Sequence, residues 1–124
     1  MKTTSQWSVL VVDDTIQILD RVSGFLGEMN SVKSISRATN FSEAIVLLNE
    51  QQFHIALLDI HLPDRNGIEL LGFIKKRYPE IIVLMLSNQT GRHYRKLCNE
   101  LGAKYFIDKS KEFEKIPEII DSYL

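Results

Sequence analysis

Three short stretches of this chain are apolar at nearly every position: SVLVV at 8–12, HIALL at 54–58 and IIVLML at 81–86. A strand with one face in water alternates apolar and polar residues, whereas a strand covered on both faces does not. None of the three approaches the ~18 apolar residues a membrane-spanning helix requires. They predict buried strands, and the pattern places two more strands at 32–37 and 104–108. Between the strands, apolar residues recur at three- and four-residue spacing, the signature of a helix with one buried face. Ile16, Leu19, Val22, Leu26 and Met29 form the first stripe, and Phe41, Ala44, Ile45 and Leu48 the second. Ile68, Leu71, Ile74 and Tyr78 form the third, ended by Pro79. A fourth stretch, 91–101, carries only the thin stripe Tyr94, Leu97, Cys98 and Leu101, and a last helix is expected from Pro117 to the chain end.

Strands and helices in strict alternation predict an α/β chain: a doubly wound parallel sheet with helices on both faces. At 124 residues and 44% hydrophobic, the chain has the mass of one ordinary domain, expected to span 1–124. Fifteen basic and sixteen acidic residues leave a net charge near −1, which excludes a sequence-independent grip on nucleic acid or on an anionic membrane. A single cysteine, Cys98, cannot close an internal disulfide, and the start MKTTSQW has no signal-peptide core. The expected location is the cytoplasm.

Ligands of such sheets bind beyond the carboxyl ends of the strands, so the residues delivered there are the ones to read. The first strand ends in Asp13-Asp14, the third in Asp59, the fourth in Ser87, and the fifth leads to Lys109. If the strand order is 2-1-3-4-5, strands one, three, four and five are neighbours and these residues share one rim. Two like charges ~4 Å apart repel by about 4 kcal/mol at an effective dielectric near 20. Three acids so placed either shift their pKa values upward or recruit a cation. Since every candidate ligand is a hard oxygen, Mg²⁺ is the natural choice, and it would attract phosphate oxygens that also suit a lysine and a hydroxyl. A carboxylate in that setting can act as a nucleophile toward phosphorus.

With these residues in order, the chain resembles a response-regulator receiver domain, the CheY-like phosphoacceptor of two-component signalling and phosphorelays. The resemblance rests on VLVVDD at 9–14, LLDIHLPDRNG at 57–67, Ser87 after an apolar strand, and Lys109 after Tyr105-Phe106-Ile107. It implies a flavodoxin-like doubly wound sheet of five parallel strands, order 2-1-3-4-5, with five helices. It also implies that Asp59 is the phosphoacceptor. Asp13, Asp14 and Asp59 would hold Mg²⁺ with the backbone carbonyl of His61, Asp13 either directly or through water. Ser87 would bond the phosphoryl group, and Lys109 would pair with it or, beforehand, with the acids. Pro63 and Gly67 would shape the loop after Asp59, and Phe106 would turn inward when Ser87 is recruited. His61 and Gln89 would flank the attacking water and set the lifetime of the phosphorylated form.

The implied donor is a sensor histidine kinase or phosphotransfer protein. The implied output is a docking surface on helix four, strand five and helix five, which regulates an unnamed downstream protein or joins two copies in a phosphorylation-linked homodimer. The chain would catalyse only its own phosphorylation and dephosphorylation. No direct contact with nucleic acid or membrane is expected, and a chain ending at Leu124 suggests either a stand-alone receiver, the favoured reading, or one whose output domain lies outside this sequence.

Two positions depart from the family pattern: Asn88 stands where a small residue usually follows Ser87, and Ser110 where proline often follows the lysine. Singly, each rim residue has a plainer reading. Asp14 could cap a helix, Asp59 could serve a turn, Ser87 could bond a loop, Lys109 could be a solvated strand end, and Phe106 could be core. Two other functions compete. A pseudo-receiver would bind partners without phosphorylation. An Asp-nucleophile phosphatase of the haloacid-dehalogenase type would need a D-x-D pair on the first strand, where this chain has adjacent acids.

Overall fold

A computed structural model describes residues 7–88 and 92–123. The strands are β1 (Trp7–Val12), β2 (Val32–Ala38), β3 (Ile55–Asp59), β4 (Ile82–Ser87) and β5 (Tyr105–Asp108). The helices are α1 (Ile16–Gly27), α2 (Phe41–Glu50), α3 (Gly67–Arg77), α4 (Arg92–Glu100) and α5 (Ile116–Asp121), the last led in by a 3₁₀ turn at Phe113–Lys115. All strand pairs are parallel, in the order β2-β1-β3-β4-β5. Fold class and strand order are those the resemblance implied.

The near-continuous apolar strands have the burial that their composition demands. Val9 and Val11 face α1 and α5, in a core with Leu19, Val22, Leu57, Ile116 and Ile120. Leu10 and Val12, one residue out of phase, face α2 and α3 in a second core with Ala44, Leu58, Leu71 and Ile74. Period-2 alternation thus feeds two cores at once. Truncating a fully buried leucine such as Leu57 to alanine costs roughly 2–5 kcal/mol, so the central strand is fixed from both sides.

Loop chemistry sets where each helix begins. Asn40 starts α2, its side chain accepting the Glu43 N–H at 2.8 Å, while the Glu43 carboxylate accepts the Thr39 N–H at 2.7 Å. Asn66 and Glu69 form a reciprocal capping box at α3, and Lys75-Lys76-Arg77 complement its carboxyl end. Beyond it, Lys75 Nζ donates to the carbonyls of Pro79 and Ile81.

Three expectations are corrected. Ile16 does not join the buried stripe of α1: it is 52% exposed, because the first turn rides past the strand ends with the 13–15 loop. The last helical segment starts at Phe113 rather than Pro117 and α5 closes at Asp121. Phe113 is buried against Phe25, ring centroids 5.7 Å apart, and that anchor draws the preceding turn into helical form. On α4 the thin stripe is thinner still, since Leu97 and Leu101 are exposed and only Cys98 is fully buried.

Candidate phosphoacceptor site

The carboxyl ends of β1, β3, β4 and β5 are laced together before any side chain is considered. The Ile60 N–H donates to the Leu86 carbonyl at 3.3 Å, and the Lys109 N–H to the Ser87 carbonyl at 2.9 Å. The Asp13 N–H continues the β1–β2 ladder to the Ala38 carbonyl at 3.0 Å. Sheet pairing therefore sets the spacing of the rim, and residues far apart in sequence arrive at one place.

Asp13, Asp59 and Ser87 are buried there, while Asp14 is exposed. One carboxylate oxygen from each of Asp13, Asp14 and Asp59 lies within 4.8 Å of the others. Lys109 reaches into the cluster with its side chain only 8% exposed, its Nζ 2.6 Å from Asp13 Oδ2 and 3.4 Å from Asp59 Oδ1. The solvated strand-end reading of Lys109 is therefore wrong. So is the capping reading of Asp14: Thr15 is the N-cap of α1, and its N–H donates at 2.9 Å to Asp13 Oδ1.

Burial pushes the Asp59 carboxyl up to about 6, with the neighbouring charge of Asp13 adding to it. The Lys109 ammonium and the His61 N–H pull the other way without cancelling the burial. Asp13 Oδ2 lies close to Lys109 Nζ as an ion pair, yet among the described residues no donor meets it with hydrogen-bond geometry. Three acids against one ammonium, all hard oxygens and one of them short of a directed donor, form a set that fits a small divalent cation such as Mg²⁺.

The loop after Asp59 is shaped by close approach. A methyl group on Gly67 would fall on the Asp59 carbonyl oxygen, so only glycine lets α3 start this near the end of β3. The Gly67 N–H donates to the Ile60 carbonyl at 2.7 Å.

Residues 9–121 match the sequence profile of the response regulator receiver domain. The chain belongs to that family. The receiver resembles the probable C4-dicarboxylate response regulator DctR of Bacillus subtilis, 25% identical over 118 residues, 95% of this chain and 52% of DctR. It is 35% identical over 103 residues to a protein-glutamate methylesterase/protein-glutamine glutaminase of the same organism, matching 82% of the chain but 29% of that enzyme. The chain spans about half the length of DctR and of the Bacillus subtilis transcriptional regulatory protein CitT. Among solved structures, the BeF₃-activated receiver domain of DrrB superposes with a TM-score of 0.79 at 29% identity, covering 95% of this chain and 97% of that one. The isolated receiver domain of RcsB from Salmonella enterica, at 17% identity and a TM-score of 0.90 over 96% and 88% of the two chains, shares the fold.

Against the sequence expectations, the receiver brings Asp13, Asp14, Asp59 and Lys109 together, with Ser87 buried on the neighbouring strand end. Asn88 is exposed, and its side chain does not fill the cluster interior. His61 is exposed, its ring edge-on to Tyr94 of α4 with centroids 6.3 Å apart. Gln89 lies outside the described residues. Phe106 is buried in the α2–α3 core, with the Arg95 guanidinium 4.8 Å above its ring. No cis peptide bond occurs among the described residues, including that between Lys109 and Ser110.

Sequence reasoning missed Asp64. Its carboxylate accepts from the N–H groups of Phe41 and Ser42, at 2.9 and 3.0 Å, and from the Ser42 hydroxyl. It thereby ties the loop after Asp59 to the start of α2. Those bonds hold its carboxyl down at about 2. The signal was present in Pro-Asp-Arg-Asn, but its partners lie more than 20 residues away.

Proposed function

We propose that this receiver takes a phosphoryl group onto Asp59 from the phosphohistidine of a sensor histidine kinase or phosphotransfer protein. A carboxylate oxygen of Asp59 forms the new O–P bond as the P–N bond breaks, and the electron pair returns to the imidazole of the donor. Mg²⁺ held by Asp13, Asp14, Asp59 and the His61 carbonyl would neutralise charge on the phosphoryl oxygens and hold them beside the nucleophile. Lys109 supplies a second positive charge beside the acids, and the Ser87 hydroxyl would donate to the transferred group. His61 and Gln89 would set how long the phosphoryl group survives.

The observation that carries this reading is the position of Lys109, within ion-pair reach of both Asp13 and Asp59 at the end of the sheet. An ammonium so placed can change partners: it neutralises the acids at rest and the phosphoryl group after transfer. A contact made in one state and lost in the other supplies the free energy that shifts a conformational equilibrium. Phe106 and Ser87 would relay that change to α4, β5 and α5, the face expected to meet a downstream protein or a second copy.

Incubating the protein with Mg²⁺ and acetyl phosphate and weighing it intact tests the reading. A gain of one phosphoryl mass that requires Mg²⁺ and is lost in Asp59→Asn is expected. An unchanged mass, or a gain that Asp59→Asn retains, would refute it.

A further inference from the structure

The lysine that reaches the acids sits in a loop with unusual internal bonding. Ser110 donates twice to one oxygen of Asp108, its N–H at 2.9 Å and its hydroxyl at 2.7 Å, closing a turn around Lys109. Asp108 is buried, its carboxyl drawn below the usual range by these bonds from Ser110. Its own N–H donates to Glu112 Oε1 at 3.0 Å, while its carbonyl accepts the Lys111 and Glu112 N–H groups. Glu112 is fixed in turn, since the Tyr105 hydroxyl donates to its other oxygen at 2.9 Å. The turn is thus closed from inside by Ser110 and from outside by Glu112.

A free lysine side chain samples many rotamers, and that entropy opposes holding its ammonium at one point. Proline at position 110 would restrict the backbone through its ring but could donate no N–H. Serine lacks the ring and here replaces that restraint with two hydrogen bonds to a buried carboxylate.

We infer that Asp108 and Ser110 are positioning residues: the turn they close, backed by Glu112, holds Lys109 with its ammonium between Asp13 and Asp59. This rests on the phosphoacceptor reading only for what Lys109 does once it is there. The consequence is local. Opening the turn frees Lys109 without unfolding the sheet, because the Lys109 N–H bond to Ser87 and the β4–β5 ladder do not involve the Ser110 side chain.

The test labels lysines with an amine-acetylating reagent under brief exposure and reads each site by peptide mass spectrometry, in wild type, Ser110→Ala, Ser110→Thr and Asp108→Ala. Lys109 should be protected in wild type relative to exposed Lys111. Ser110→Ala should raise its labelling about 5-fold, the scale set by one hydrogen bond, and Ser110→Thr should restore protection. Lys75, pinned to two carbonyls elsewhere, should not change. Asp108→Ala should exceed Ser110→Ala; if it fails to fold, the two serine variants decide. In the same variants the maximal rate of acetyl-phosphate labelling should fall with the loss of protection. Unchanged Lys109 labelling in Ser110→Ala, or an equal rise at Lys75 marking general loosening, would overturn the inference. If wild type never takes up phosphate, the phosphoacceptor reading fails while the labelling still judges the turn.

Discussion

Lys109 and Asp13 meet at 2.6 Å across the carboxyl edge of the sheet, with the carboxylate fully buried and the ammonium nearly so. The pair is separated by about three quarters of the chain, and it is the contact on which the electrostatics of the site turn. Removing one partner of such a pair leaves a buried charge without compensation, at a cost of roughly 3–5 kcal/mol. Lys109→Met should therefore lower Tm sharply at pH 7. The loss should shrink near pH 5, where Asp59 can take up a proton. A melt series across that range checks it.

Asp59 predicts an unusual pH dependence. Its carboxyl is raised from 3.8 to about 6 by folding, so between those values the folded state holds a proton that the unfolded chain has released. Stability contributed by this group is greatest at low pH and falls as pH rises through about 6. In EDTA at pH 7, Asp59→Asn should be more stable than wild type, by on the order of 2 kcal/mol after allowance for solvent at the site. Added Mg²⁺ should raise the Tm of wild type far more than that of Asp59→Asn. Equal melting temperatures in EDTA would contradict the burial argument.

Asp64 behaves oppositely. Its carboxyl is held at about 2 by the Phe41 and Ser42 N–H groups, so its contribution is complete above the unfolded value and disappears as pH falls through about 2. Asp64→Ala should lower Tm at neutral pH, and the gap to wild type should close on acidification toward pH 2.

Gly67→Ala forces a methyl group against the Asp59 carbonyl oxygen, a backbone atom that cannot step aside cheaply. We expect a destabilisation of roughly 2–4 kcal/mol, with slower phosphorylation because the strand end carrying Asp59 has to move. Chemical denaturation and acetyl-phosphate kinetics on the same sample measure both.

Among the described residues, α4 is held by Cys98, the half-buried Tyr94 and the Arg95 guanidinium over Phe106, with Leu97 41% exposed. Few buried contacts mean low local stability. Amide hydrogens of α4 should exchange well before those of α3, whose Leu70, Leu71 and Ile74 are fully buried. Uniform exchange would show that α4 is fastened in a way its packing does not reveal.

How far the sequence could be read follows from the kind of interaction involved. SVLVV and IIVLML announce strands covered on both faces because burial on both sides leaves no polar positions. Asp13, Asp59 and Ser87 were legible because a parallel sheet presents the ends of its strands together. Ile16 misled because helical periodicity does not say where the helix rises past the sheet. Phe113 escaped because its anchor, Phe25, lies on a distant helix. Asp64 and Asp108 act through hydrogen bonds to a helix start and to a loop, and periodicity carries no information about those. Ser110 was visible as a departure from proline, but the carboxylate that takes the ring's place was not.

The central claim is that Asp59, among several acids and beside a histidine, receives the phosphoryl group. Borohydride reduction of the protein after acetyl-phosphate treatment, followed by peptide sequencing in the mass spectrometer, tests it most directly. An acyl phosphate at Asp59 would be reduced to homoserine at position 59, with Asp13, Asp14 and His61 unmodified. Phosphate retained on His61, or reduction at Asp13 or Asp14 with Asp59 intact, would contradict the account.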